Sequence, residues 1–72
     1  MDMATICSTD TIFATVSYCG SMIANMRISG ADSMAHVMNA VRSRVGHVAG
    51  LVTIDLRNTS QGWMSRRSVM MM

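Results

Sequence analysis

Residues 32–48, DSMAHVMNAVRSRVGHV, decide how the rest of the chain is read. Met34, Val37, Met38, Val41, Val45 and Val48 recur at the spacing that places them along one stripe of a helix. His36, Asn39, Arg42 and Ser43 fall largely on the opposite side. Asp32 is the expected N-cap, because its carboxylate can accept from free backbone N–H groups and suits the positive end of the helix. Arg42 and Arg44 lie toward the other end, where positive charge is favourable. Gly46 weakens or ends the helix, and Gly50 marks the way out of it.

Outward from this helix the pattern changes period. Residues 11–18, TIFATVSY, alternate Ile12, Ala14, Val16 and Tyr18 against Phe13, Thr15 and Ser17, as a half-buried strand does. Cys19-Gly20 is a two-residue break suited to a hairpin turn. Residues 21–29, SMIANMRIS, alternate again, with Met22, Ala24, Met26 and Ile28 on one face and Ile23, Asn25 and Arg27 on the other. Beyond the helix, residues 51–57, LVTIDLR, point Val52, Ile54 and Leu56 inward. Residues 58–62, NTSQG, read as a loop, and residues 63–71 return as a fourth strand with poorer alternation. Residues 1–10 read as a tail, with a turn or loop at Ser8-Thr9-Asp10, and residues 11–72 as one small domain.

The expected class is α+β: a four-stranded sheet with one helix packed on one face, in the order ββαββ. In element order and size, over residues 11–72, this resembles the β-grasp topology of ubiquitin-like and protein G-like domains. That resemblance implies first and last strands side by side in the centre of the sheet. A ferredoxin-like or other split arrangement of the same elements is the alternative.

Composition bounds the function. A chain of 72 residues has room for one thin core and buries only about 60% of its unfolded surface. Charged residues make up 14% and hydrophobic residues 50%, while Lys, Glu and Pro are absent. With so few charges to cover its surface, the chain is expected to hide some of it against a second copy, as a homodimer, or against another protein. A net charge of +2 is too small to announce a nucleic-acid or membrane partner. Asp2 stands where a basic signal-peptide n-region would be, and the longest uncharged span, residues 11–26, is too short and polar to cross a bilayer. A cytoplasmic protein is expected.

No motif fixes a chemistry, and an enzyme is not expected. Cys7 and Cys19 form no CxxC and cannot make a four-ligand zinc site. They read as two free thiols, or as a disulfide if the tail folds back beside the first turn. His36 and His47 lie three helical turns apart, too far for one metal ion within a single helix. The ten methionines suit core filling better than copper binding, since Met22, Met26, Met34 and Met38 all sit on stripes assigned to the core. There is no GxSxG, P-loop or GxGxxG, and Asp2, Asp10, Asp32 and Asp55 are explicable as tail, turn, cap and exposed strand. No cofactor or metal is expected.

The surface with most to offer is the last hairpin, where Arg57, Trp63, Arg66 and Arg67 flank or follow the loop at residues 58–62. Arginine beside an aromatic ring is the commonest hot-spot chemistry of protein interfaces. The same pair can stack a base and grip phosphate. In the plainer reading, Trp63 covers the core edge and the arginines are solvated. The function expected is a non-catalytic protein-interaction module that self-associates. The alternative is a nucleic-acid-binding accessory protein using the Arg57/Trp63/Arg66/Arg67 surface.

Overall fold

The computed structural model describes residues 6–46 and 48–71. The readings of residues 1–5, His47 and Met72 fall outside them. Four strands and one helix follow in the expected order: β1 (Thr11–Tyr18), β2 (Ser21–Ser29), α1 (Met34–Val45), β3 (Gly50–Asn58) and β4 (Trp63–Met71). The α+β class and the ββαββ succession are thus present.

The strand order is β2-β1-β3-β4, and every neighbouring pair is antiparallel. This corrects the β-grasp expectation, in which β4 would lie beside β1. Here β3 takes that place, so β2 and β3 run parallel with β1 between them, a split arrangement. The physical reason lies in the two strands themselves. Val52, Ile54 and Leu56 are fully buried, as a central strand requires, whereas β4 carries Arg66 and Arg67 and suits an edge.

One face of the sheet is packed against α1. Ile12, Ala14 and Val16 of β1, Met26 and Ile28 of β2 and Val52, Ile54 and Leu56 of β3 meet Val37, Val41 and Val45 of the helix. Each of the Val, Leu, Ile and Met side chains taken out of water contributes roughly 1.5–3 kcal/mol before chain entropy is set against it. Met34, Met38, Ala40 and Val48 pack around this centre, so the stripe read from sequence is the buried one. The cap differs by one residue: Ser33 Oγ accepts from the His36 N–H at 3.2 Å. Asp32 is instead displaced outward, 3.6 Å from His36 Nδ1.

Two backbone positions set the register. Cys19 (φ 54°) and Gly20 (φ 82°) both have positive φ, the conformation of a tight hairpin turn whose twist matches the strands. Further along β2 the pairing jumps from Val16↔Ala24 to Ser17↔Met22, leaving Ile23 as an extra residue. This β-bulge moves Met22 off the core face assigned to it and opposite Ser17, where it is 61% exposed.

The segment before β1 is tied to the far turn. Asp10, only 6% exposed, accepts through Oδ2 from the Cys7 N–H (2.9 Å), Asn58 Nδ2 (2.9 Å) and Gln61 Nε2 (2.6 Å). Asn58 Oδ1 in turn accepts from the Ser60 and Gln61 N–H groups, both at 3.0 Å, which holds the β3–β4 loop in shape.

Candidate functional site

The side of the sheet opposite α1 has no covering layer among the described residues, and its side chains stand in rows set by the strand register. The first row runs Arg27–Phe13–Arg57–Met64 across β2, β1, β3 and β4. The Arg57 guanidinium lies 5.7 Å from the centroid of the Phe13 ring, within cation–π range. The second row runs Asn25–Thr15–Asp55–Arg66. Arg66 Nε donates to Asp55 Oδ1 at 2.7 Å, and this hydrogen bond, together with the carboxylate charge, raises the Arg66 pKa further. Between these rows is a shallow depression of about 640 Å³ bordered by Phe13, Thr15, Asn25, Arg57, Met64 and Arg66.

Toward the Cys19-Gly20 turn the face becomes apolar. Met22, Leu51 and Met70 are 61, 58 and 60% exposed there, and Ile23 of the bulge is exposed beside them. The arginines therefore gather at one end of this face, with Met64 exposed beside them, while the other end is apolar. Among the described residues no carboxylate lies within ion-pairing distance of Arg27 or Arg57, since Asp55 is taken by Arg66.

The four residues singled out from sequence do not form one surface. Strict alternation along β4 puts Trp63 and Arg67 opposite Asn58 and Ile54, on the helix side. Arg66 stands opposite Asp55, on the open side with Arg57. Arg57 and Arg66 are thus brought together, while Trp63, half-buried against the core, and Arg67 face away from them. Phe13 and Arg27 were missed as site residues. Their signal was available: an aromatic and an arginine on the polar side of alternating strands.

Cys7 and Cys19 are both free and exposed, and lie at opposite ends of β1. Among the described residues no group of three or more His, Cys, Asp or Glu is placed to hold a metal ion. No described helix is long and apolar enough to cross a membrane. No family model matches the sequence, and no curated protein or solved structure matches it either.

Proposed function

We propose that this chain is a small, non-catalytic protein-interaction module of the cytoplasm that associates with a second copy of itself. The observation that carries the reading is the exposure of large apolar side chains on the sheet face opposite α1, which has no covering layer among the described residues: Met22, Leu51, Met64 and Met70 are all more than half exposed. A domain with a thin core gains from covering such surface by association. Light scattering on a sizing column tests it. The expected result is twice the chain mass at both low and high salt, because apolar association is not screened by salt. A monomer under both conditions overturns it.

A second reading is favoured by the row Arg27–Phe13–Arg57: a ring under the Arg57 guanidinium, with a second arginine in register on the next strand, suits the backbone and bases of a single-stranded nucleic acid. Its test is fluorescence anisotropy with a labelled oligonucleotide. Binding should weaken steeply with salt and be lost in Arg27→Ala/Arg57→Ala. Absence of binding at low salt removes it.

A further inference from the structure

We infer that a single-stranded nucleic acid crosses the strands of the open face along the row Arg27–Phe13–Arg57–Met64. The inference rests on the nucleic-acid reading above, gives it a path, and does not need self-association. On four successive strands the row presents a cation, a ring, a cation and an apolar side chain. A nucleic-acid strand presents phosphate, base, phosphate and base in the same order. Neighbouring strands lie about 4.8 Å apart, so Arg27 and Arg57 stand about 9.6 Å apart at the backbone with Phe13 midway. Two long side chains so placed can grip the phosphates on either side of one base. Phe13, with the Arg57 guanidinium 5.7 Å from its centroid, supplies stacking surface for that base. Met64, 75% exposed, offers an apolar platform for the next.

Charge selects both the occupant and its direction. Among the described residues the open face carries Arg27, Arg57 and Arg66 but one carboxylate, that of Asp55. Asp55 is already held by Arg66 at 2.7 Å, so the charges of Arg27 and Arg57 are left to an anionic partner. A second copy would bring the same arginines to this row and neutralise none of them. An acidic peptide would supply anions but no flat group between them for the Phe13 ring. Along the strands the alternation stops. Beyond Phe13 the open side of β1 continues with Thr15 and Ser17, and beyond Arg57 that of β3 continues with Asp55, which repels phosphate. Cation and stacking surface alternate across the sheet and not down it.

Single substitutions along the row, read by anisotropy with labelled oligo-dT and checked for folding by circular dichroism, test the path. Phe13→Ala should weaken binding about 5- to 150-fold, the effect of one lost base stack. Phe13→Leu keeps apolar bulk on the strand and should weaken it in the same direction; unchanged affinity in that folded variant overturns the stacking. Arg27→Ala and Arg57→Ala should each lower the slope of log affinity against log salt by about 0.7, one single-strand phosphate. Arg67→Ala removes the same charge from the helix side and should change little. Equal loss in Arg67→Ala and Arg27→Ala means diffuse attraction to net charge and overturns the site. Binding that depends on Arg27 and Phe13 but survives Arg57→Ala and Met64→Ala overturns the crossing path while the nucleic-acid reading stands. Polyglutamate that binds as tightly as oligo-dT overturns the occupant, and no binding to oligo-dT at low salt removes path and reading together.

Discussion

Asn58 is a small residue with a large structural share. Its amide donates to the Asp10 carboxylate and accepts from two loop N–H groups, and the residue is fully buried. Asn58→Ala should cost about 1–3 kcal/mol, because buried partners are left unsatisfied. For a chain of this size that is about 4–8 °C in Tm per kcal/mol, read by thermal circular dichroism. Asp10 gives the same cluster a pH dependence. The Asn58 side chain first, then the Cys7 N–H and Gln61, hold its carboxyl below the ordinary aspartate value, against the opposing effect of burial. A lowered folded-state pKa contributes stability above the unfolded value of about 3.9 and loses it as pH falls through the folded value. Urea midpoints should therefore drop on acidification below about pH 4, and the drop should be smaller in Asp10→Asn. The partners of Asp10 were not legible in the sequence. Asp10 and Asn58 are 48 positions apart, and each alone reads as an ordinary turn residue.

At the scale of elements, the helix stripe and the central strands were legible because burial is periodic and the sequence carries the period. Val37, Val41 and Val45 are the plainest case. β4 was not, since WMSRRSVMM alternates poorly and leaves open which arginine accompanies Trp63. The Ile23 bulge was equally hidden: one extra residue reverses the facing of Met22, and no residue type announces it. Strand order escaped for another reason. Alternation tells which side of a strand is buried, and says little about which strand lies next to it. The first turn allows a prediction at this scale. Cys19 holds φ 54°, a conformation for which Asn is several-fold enriched. Cys19→Asn should stabilise the hairpin on that preference, read as a higher midpoint in urea denaturation. Gly20→Ala should act in the opposite direction, because a side chain at φ 82° is strained.

For the molecule as a whole, the thin core makes single truncations expensive. Ile54 is fully buried at the centre of the sheet, and Ile54→Ala should cost about 2–5 kcal/mol. A domain this small holds roughly 3–5 kcal/mol in total, so much of the variant population should be unfolded at 37 °C, visible as lost strand signal. The strand order β2-β1-β3-β4 also divides the chain into two local hairpins that meet along one seam, β1 against β3. A lone hairpin is marginal in water, and the buried side chains are shared across that seam. Neither half has a reason to persist once the seam opens. Unzipping should thus release both hairpins in one event: amides of β1 and β3 should exchange with a common opening free energy, equal to that of global unfolding.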